Sequence, residues 1–485
     1  MHQNDSDTPV SDEIALNYHL MHPGGDSAPG DPNAAFCLDG TYHLHYILRQ
    51  TWHGQRSYCF VHVTSPDMLN WTWQTTKLQP SFTGHGMYSG TGFITREGAP
   101  AVIYHGQASG RNYIAVAKDR ALSAWKKPHP INPKTLLGED AEMHHWDPDC
   151  FVINDTYYAI SGGIEQPIMR SQDLVNWSHV GNFLKHEMPE VAIGEDISCP
   201  NFFRLGDKWV LLCISHPLGC RYYVGDWDAD AEQFVPEIHG RMNWRRPEQS
   251  IYRTEYRDYF APESVLTTDG RRVMWAWIAT LHEDIFQRTV QALPRELILA
   301  DDNTLRIRPL QELERLRYDL LTLRNVTVTL PERSHGSSAT EHIADLEHDA
   351  YEIKITVDPE QTKRKRFGFQ LFADEANEGL SIMVHPENGT LRIGTTESPF
   401  AVADLPETEA LELRIFVDKY VVEVFANERQ AVVGVHMDYR SAHGLKVYTY
   451  GDTTIIREIN LWKLKPTNQG FLEARENRIW LPEME

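Results

Sequence analysis

The chain has 485 residues, which is enough for two or three domains, and its 41% of hydrophobic residues can form large cores. The formal net charge of -22 argues against binding to nucleic acid or to an anionic membrane surface. The same charge is compatible with a small neutral molecule as substrate, and self-association into a homo-oligomer is compatible with it too.

The first residues, MHQNDSDTPVSDE, are polar and acidic, and they lack the basic start and apolar stretch of a secretory signal. No apolar run approaches the roughly 20 residues that a membrane-spanning helix needs. The six cysteines form no C-x-x-C pair, and most lie in apolar segments that look like strands. We therefore expect buried free thiols and a cytoplasmic location, unless an export signal has been removed from the chain.

A short pattern recurs through the first part of the chain, each time after a segment typical of a β-strand. It reads DMLNW from Asp67, DRALSAW from Asp119, DLVNW from Asp173 and DW from Asp226, and the four aspartates are separated by 52, 54 and 53 residues. A fixed period near this length is typical of propeller blades, each of which is one four-stranded sheet. The repeat predicts a five-bladed β-propeller over residues 1–312.

The pattern changes after this repeat. The segment LQELERLRYDLL, from Leu310, has helical periodicity and predicts a helical linker over residues 313–324. Residues 325–466 alternate apolar and polar side chains over short spans, which predicts an antiparallel β-sandwich with one buried face per strand. Residues 467–485 have no strong pattern and are expected to form a C-terminal tail. The predicted fold class is therefore all-β.

Several predicted strands of the first domain open with similar residues. The openings read GDPNAAF from Gly30, WDPDCF from Trp146, SCPNFF from Ser198 and APESVL from Ala261. The innermost strands of a propeller converge on its axis, so equivalent positions at their starts would surround one pocket. Such a pocket would collect acidic side chains, and glycoside hydrolysis uses clustered carboxylates as nucleophile and proton donor.

These motifs resemble those of glycoside hydrolase family 32, the family of invertases, inulinases and levanases. The similarity extends from about residue 20 to 465 and includes the segments HPGGDSAPGDPNAAFCLDGTYHLHY, GMYSGTGFI, HWDPDCF, FAPESVLTTDGRRVMWAWI, LPREL and LRIFVDKYVVEVFANER. The resemblance implies a retaining hydrolase that cleaves β-fructofuranosides of the sucrose, fructo-oligosaccharide or fructan type through a covalent furanosyl–enzyme intermediate. It implies no metal and no organic cofactor.

The resemblance also implies roles for individual residues. Asp31 matches the nucleophile of the family, and Asp147 matches the aspartate that stabilises the transition state. The residues expected to contact the substrate are Asn33, Trp52, Tyr88, Ser89, Trp146, Asp196 and Ser198.

Three positions depart from the family pattern. Gly30 replaces an asparagine, Trp146 replaces an arginine that grips sugar hydroxyls, and Ser198 replaces the glutamate that acts as general acid. A serine hydroxyl cannot protonate a leaving group at neutral pH. Two substitutes for the missing acid are nearly equivalent from the sequence, Glu263 on the next predicted blade and Glu195 upstream of Ser198, and Asp196 follows them.

Two alternatives to hydrolysis stay open at this point. Trp146 could exclude water and favour transfer of the furanosyl unit to another sugar or to its own hydroxyl, as in the formation of difructose anhydrides. The loss of the acidic residue at Ser198 could instead mark a carbohydrate-binding protein without catalytic activity. The substrate itself stays open among sucrose, fructans, difructose dianhydrides and related furanosides.

Overall fold

A computed structural model describes residues 8–25, 27–191, 194–245, 259–279, 288–330, 337–362 and 366–482. The predicted fold class is confirmed, because five small sheets, antiparallel except for one short parallel pair, follow one another as blades and two larger sheets form a sandwich. All six cysteines are free thiols, and all but the half-buried Cys37 are buried, as the sequence indicates. No helix among the described residues is long and apolar enough to cross a membrane.

The propeller strands are short and bounded by turns. The first blade contains β1 (Pro32–Leu38), β2 (Thr41–Trp52), β3 (Gln55–Ser65) and β4 (Thr72–Leu78). The second contains β5 (Met87–Ile94), β6 (Pro100–Gly106), β7 (Arg111–Val116) and β8 (His129–Pro130). The third contains β9 (Pro133–Lys134), β10 (Pro148–Ile153), β11 (Thr156–Ser161), β12 (Pro167–Ser171) and β13 (Trp177–Asn182).

The last two blades have four strands each, and a short strand between them leaves the propeller. The fourth blade contains β14 (Ser198–Leu205), β15 (Lys208–Ser215), β16 (Gly219–Asp228) and β17 (Gln233–Arg241). The two-residue strand β18 (Trp244–Arg245) joins a sheet of the sandwich. The fifth blade contains β19 (Phe260–Leu266), β20 (Arg272–Trp277), β21 (Arg295–Leu299) and β22 (Leu305–Pro309).

Three of the four repeated aspartates form a turn that leads into the outer strand of a blade, whereas Asp226 lies within β16 and binds Lys208. Asp67 and Asp173 each accept a 2.8 Å hydrogen bond from the main-chain amide three residues later, at Asn70 and Asn176. Each also accepts a 2.7 Å bond from the side-chain amide of the same asparagine. Asp119 makes the looser version of this turn with Ser123. The sequence repeat is therefore a turn of local origin in the first three blades.

Polar side chains tie neighbouring blades together near the axis. Each directly follows the proline of a strand opening, and we call Asn33, Asp149, Asn201 and Glu263 the polar belt. Their contacts with the next blade are Asn33 Oδ1 with Gly90 N (3.0 Å), Asp149 Oδ2 with Phe202 N (2.6 Å), Asn201 Oδ1 with Ser264 Oγ (2.5 Å) and Glu263 Oε1 with Ala35 N (2.9 Å). The Thr91 hydroxyl donates to Asp149 Oδ1 (2.6 Å) and joins the second blade to the third, so that the belt closes around the axis.

The sandwich consists of a seven-stranded and a six-stranded sheet. Besides β18, the strands of the first sheet are β24 (Ser338–Asp345), β26 (Arg366–Ala373), β27 (Leu380–His385), β28 (Thr390–Ile393), β29 (Thr396–Pro399) and β33 (Gly444–Tyr450). The strands of the second sheet are β23 (Arg317–Val328), β25 (Ala350–Val357), β30 (Leu411–Asp418), β31 (Val421–Ala426), β32 (Gln430–Val435) and β34 (Thr454–Leu464). The first sheet has the order β18-β29-β28-β27-β26-β33-β24, and the second has the order β23-β34-β25-β30-β31-β32. Two short helical turns, Pro359–Thr362 and Val402–Asp404, connect strands.

The prediction of a helical linker over residues 313–324 is wrong. A 3₁₀ helix covers Gln311–Leu316, and β23 begins directly afterwards, at Arg317. Burial of Leu313 and Leu316 holds the single helical turn, whereas the following residues pair along β34. Sheet pairing thus overrides the local helical periodicity, and the sandwich begins earlier than residue 325.

The C-terminal tail predicted over residues 467–485 contains a helix. It spans Gln469–Asn477 and packs on the first blade, where the ring of Phe471 lies 6.2 Å from that of Trp73. The Thr76 hydroxyl donates a 2.8 Å hydrogen bond to the carbonyl of Trp480. The end of the chain therefore returns to the propeller.

Candidate active site

Asp31 lies at the entrance of the first inner strand and is only 6% exposed. Its Oδ2 accepts a 2.7 Å hydrogen bond from the Ser89 hydroxyl of the second blade. Its main-chain carbonyl accepts bonds from the amide of Ile47 (3.1 Å) and from the side-chain amide of Asn33 (2.5 Å). The backbone and the carboxylate of Asp31 are thus both held in one orientation. Asn33 and Ser89, predicted to contact substrate, position Asp31.

Asp147 occupies the equivalent position on the third blade and is also buried. Its Oδ2 accepts hydrogen bonds from the amide nitrogen (3.1 Å) and the thiol (3.5 Å) of Cys199. Burial raises the pKa of Asp147 to about 6, the charge of His216 opposes this shift, and the negative charge of Asp31 adds to it. The two carboxylates are therefore close enough to influence one another's protonation.

Irregular strand openings aim these groups at the axis. The register of the inner strands shifts between Ser198 and Asn201 and between Phe260 and Glu263. Cys199 and Ala261, within these shifts, adopt left-handed backbone conformations with φ of 46° and 54°. Bulges of this kind redirect side chains and main-chain amides next to functional sites. Here the bulge at Cys199 presents its amide to Asp147.

Gly30, where the family has an asparagine, lies against the indole of Trp277. A Cβ atom at this position would come within 2.6 Å of the Trp277 ring. The Gly30 carbonyl accepts a 2.7 Å hydrogen bond from the side-chain amide of Gln291. The departure from the family pattern therefore has a steric cause, since the indole fills the space that a side chain would need.

Glu263 is bound to the main chain of the first and second blades. Its Oε1 accepts hydrogen bonds from the amides of Ala35 (2.9 Å) and Gly92 (3.3 Å), deeper along the inner strands. Burial and the neighbouring Asp149 raise the pKa of Glu263 well above its usual value. The carboxyl group serves the polar belt, so the geometry does not support the prediction that Glu263 is the proton donor. The sequence pattern could not distinguish these two depths of the same strand.

Glu195 is held away from the carboxylate pair by arginines. It forms two hydrogen bonds with Arg241, of 2.8 and 2.7 Å, and its Oε2 lies 3.7 Å from Nη1 of Arg221. The carboxylate is almost completely buried within this cluster. A bidentate ion pair stabilises the ionised form of a carboxylate, which is unsuited to proton donation. The geometry therefore does not support Glu195 as the acid either.

Asp196, the third candidate, lines the pocket together with a histidine that the sequence analysis missed. Asp196 Oδ1 accepts a 2.9 Å hydrogen bond from the amide of His216, and its Oδ2 lies 2.5 Å from His216 Nδ1. The hydroxyl of Ser198 donates to the same Oδ2 at 2.6 Å. Burial would raise the pKa of Asp196, but the hydrogen bond and charge of His216 and the bond from Ser198 together lower it to about 2. Asp196 is thus a carboxylate at neutral pH.

A signal for His216 was present in the sequence. The segment KWVLLCIS is an apolar strand that follows the SCPNFF opening, and His216 comes directly after it. Ser198 pairs with Ile214 in the antiparallel ladder, so a residue just beyond Ile214 returns to the same end of the blade as Ser198. Pairing the two strands as a hairpin would have located this histidine.

A pocket of about 660 Å³ adjoins these residues, lined by His144, Trp146, Gly163, Ile164, Glu165, Asp196 and His216. Trp146 belongs to a series of adjacent rings that we call the aromatic row: Tyr58, Tyr88, His105, Trp146 and His144. Successive ring centroids are 5.2, 6.2, 5.3 and 6.1 Å apart. Aromatic faces of this kind can pack against the apolar C–H faces of sugars.

Trp52, also predicted to contact substrate, lies at the tip of the β2–β3 hairpin. It is six residues beyond Tyr46, the partner of Pro32, so the strand carries it about 20 Å past the opening of β1. Its ring lies 4.4 Å from that of the adjacent His53. The structure therefore does not place Trp52 among the residues that line the pocket.

The described residues contain no group of three or more histidine, cysteine, aspartate or glutamate side chains arranged to hold a metal ion. The site consists of the paired aspartates, the Asp196–His216 pair and the aromatic row.

Comparison with known proteins identifies the family of the chain. Residues 27–309 match the profile of the N-terminal domain of glycosyl hydrolases family 32, and residues 312–463 match that of its C-terminal domain. A raffinose invertase of Escherichia coli is 25% identical, over 92% of this chain and 94% of the relative. A levanase of Bacillus subtilis is 26% identical, over 90% of this chain and 68% of the relative.

A solved structure has the same fold. The sucrose-6-phosphate hydrolase from Lactobacillus gasseri superposes with a TM-score of 0.71 at 19% identity, covering 94% of each chain. The two matched profiles together span both domains of the structure and contain the aspartates that meet at the propeller axis. The chain therefore belongs to glycosyl hydrolase family 32 and is a glycosidase.

Proposed function

We propose that this protein is a retaining β-fructofuranosidase in which Asp31 is the nucleophile. The observation that carries the proposal is that the buried Asp31 and Asp147 are held at equivalent openings of two inner strands, and that Trp146, next to Asp147, lines a pocket large enough for a sugar. Asp31 is buried, and the hydrogen bond from Ser89 fixes one of its carboxylate oxygens. Retaining glycosidases use such a fixed carboxylate to form a glycosyl ester.

Asp147 has a different task in this mechanism. A carboxylate beside the sugar ring accepts hydrogen bonds from hydroxyl groups, and these bonds strengthen as positive charge develops in the transition state. The Cys199 amide and thiol hold Oδ2 of Asp147 in place. A negative charge that is fixed beforehand needs no reorganisation when the oxocarbenium-like state forms.

The aromatic row favours a substrate longer than a disaccharide. Its rings extend from Trp146, next to Asp147, through His105 and Tyr88 to Tyr58. The partly exposed rings of Tyr58, Tyr88 and Trp146 offer platforms for several sugar units, and the buried His105 packs between Tyr88 and Trp146. The names of the relatives, a raffinose invertase and a levanase, are in accord with this reading. We therefore propose fructosyl oligosaccharides as the preferred substrate class.

The test is a mass balance on sucrose, raffinose and fructo-oligosaccharides of both linkage types. We expect the wild-type protein to release one free fructose per bond cleaved. Asp31→Asn should remain folded and lose nearly all turnover, because an amide cannot form the glycosyl ester. The exposed Asp207 supplies the matched control, and Asp207→Asn should retain wild-type turnover.

Each other outcome of this panel has a definite meaning. Less free fructose than leaving group, with new oligosaccharides or cyclic products, would identify a transferase and overturn the hydrolase proposal. Binding of the sugars without any turnover would identify a carbohydrate-binding protein. Full activity of Asp31→Asn, with the substitution verified by mass, would remove Asp31 from the mechanism.

A further inference from the structure

The proposed reaction needs a group that protonates the departing oxygen, and the glutamates nearest in sequence do not supply it. Glu195 is bound to Arg241, and Glu263 is bound to main-chain amides of the polar belt. Ser198, at the position of the family acid, uses its hydroxyl to donate to Asp196. The pocket itself presents another titratable pair, Asp196 and His216.

The imidazole of His216 is held by contacts on several sides. Strand β15 ends one residue before it, and its main-chain amide is bound to Asp196 Oδ1 (2.9 Å). Its Nδ1 lies 2.5 Å from Asp196 Oδ2, and its ring meets the ring of Phe260 edge-on at 5.9 Å. Because Asp196 is ionised, Nδ1 is the donor in this contact. The His216 side chain is 39% exposed and lines the pocket, and we assign the exchange of a proton with a substrate to Nε2.

The charges around His216 connect it to the reacting centre. Asp196 faces Nδ1, and Glu165 and His144 line the same pocket. The positive charge of His216 lowers the pKa of Asp147, whereas the negative charge of Asp31 raises it. A proton donor in such a site must lie beside the leaving group while the nucleophile lies at the anomeric carbon. His216 lines the pocket and is near the aspartate pair, which meets this requirement.

We infer that His216 is the proton donor and acceptor of the reaction and that Asp196 is its positioning residue. This inference rests on the proposed function. The arrangement resembles the carboxylate–histidine pairs of other hydrolases, in which the carboxylate fixes the tautomer and orientation of the imidazole. Ser198 completes it by donating to the oxygen that Asp196 shares with Nδ1.

The steps balance as follows. An oxygen of Asp31 forms a bond to the anomeric carbon, the bond from that carbon to the leaving oxygen breaks, and its electron pair stays with the oxygen. That oxygen takes the proton from Nε2 of the His216 imidazolium, which becomes neutral imidazole. Water then attacks the anomeric carbon and gives a proton to Nε2, the ester bond breaks, and the Asp31 carboxylate and the imidazolium are restored.

The experiment compares leaving groups in His216→Ala. On sucrose, kcat/KM should fall by about 10²–10⁴-fold, the usual contribution of a positioned proton donor. On an aryl β-fructofuranoside with an acidic phenol, which needs little protonation, the fall should be at most about tenfold. Added azide should then raise kcat on the aryl substrate and yield a fructosyl azide of retained configuration, because azide attacks the ester without a base.

Asp196→Asn tests the positioning role through the pH profile. The carboxylate stabilises the imidazolium, so its removal should lower the pKa of the acidic form of His216. The basic limb of kcat/KM on sucrose should therefore move to lower pH, and kcat should fall. A residue with a purely structural role would lower activity without moving this limb.

Glu195→Gln and Glu263→Gln are the matched controls, and neither should show a difference between the two substrates. Three results would overturn the inference: retention of sucrose kcat/KM within a few fold in His216→Ala, equal losses on both substrates without azide rescue, or the leaving-group difference in either glutamine variant. The proposed function fails separately, when the wild-type protein lacks turnover or Asp31→Asn retains it.

Discussion

The carboxylate of Asp147 illustrates how burial and a neighbouring charge set the chemistry of one side chain. It is buried, it lies near Asp31, and its pKa is raised to about 6 by burial, with Asp31 adding to the shift. Two carboxylates that approach one another in a pocket repel when both are ionised. The protein thus keeps a destabilising pair of charges at the position where the reaction needs them.

Asp147→Asn should therefore raise stability and lower turnover. The raised pKa means that ionised Asp147 destabilises the folded state at pH 7. Below about pH 4 the aspartate is neutral in both the folded and the unfolded state, so this destabilisation disappears. We expect the free energy of unfolding to rise by about 1–3 kcal/mol at pH 7. The gain should shrink as the pH falls from 6 to 4, and chemical denaturation at several pH values measures it.

The control is Asp207→Asn, an exposed aspartate whose substitution should leave the free energy of unfolding unchanged. A variant Asp147→Asn that is less stable than the wild-type protein at neutral pH would contradict the electrostatic account of the pair.

At the scale of a structural element, the polar belt explains what the sequence could not resolve. The openings of the inner strands were predictable, because the Asp-Pro and Cys-Pro dipeptides recur before apolar strands. The depth of each side chain along the propeller axis was not predictable. Residues 31 and 33, or 261 and 263, belong to one motif and yet lie at different depths. The carboxylate of Asp31 is held by the Ser89 hydroxyl, whereas the carboxyl group of Glu263 is bound to the main-chain amides of Ala35 and Gly92.

The belt should contribute strongly to the stability of the propeller. Asp149 accepts hydrogen bonds from the Thr91 hydroxyl (2.6 Å), the Cys150 amide (2.7 Å) and the Phe202 amide (2.6 Å), and it is buried. Asp149→Ala would leave these buried donors without their acceptor. We expect the free energy of unfolding to fall by about 2–4 kcal/mol.

Urea denaturation of Asp149→Ala beside Asp207→Ala checks this value. The exposed aspartate should change stability by no more than about 0.5 kcal/mol. Equal effects of the two substitutions would show that the belt does not hold the blades together.

At the scale of the whole molecule, the N-terminal segment joins the two domains. Asp418, at the end of β30 in the sandwich, accepts hydrogen bonds from the amides of Asn17 (2.8 Å), Tyr18 (2.9 Å) and His19 (3.0 Å). The same segment pairs with the propeller, where Met21 forms a bridge to Val290. The order of the domains could be predicted from the sequence, but this connection could not, because its partners are about 400 residues apart and lack a shared pattern.

His19 should make stability depend on pH in the alkaline range. Burial alone would lower the pKa of His19, but the hydrogen bonds and charges of Asp418 and Glu423 raise it to about 9. A raised pKa in the folded state stabilises the protein below pH 6.5, and this contribution is lost as the pH rises through 9. We expect the loss to be roughly 1–3 kcal/mol.

His19→Gln, which keeps a hydrogen-bond donor without the titration, serves as the comparison. Thermal unfolding across pH 6 to 10 should show that the gap in stability between the two proteins narrows steadily from about pH 6.5 to pH 9 and stays constant above it. A gap that stays constant over this range would contradict a charged His19 at the interface.

The account as a whole depends on Asp31 as the nucleophile, and the covalent intermediate tests this most directly. The enzyme would be mixed with an aryl β-fructofuranoside, quenched rapidly in acid, digested and mapped by mass spectrometry. We predict that one hexosyl unit is attached to the peptide that contains Asp31, as an ester of its carboxylate, and that Asp31→Asn acquires none. Attachment to Asp147 or Asp196, or release of fructose with inverted configuration, would contradict the account.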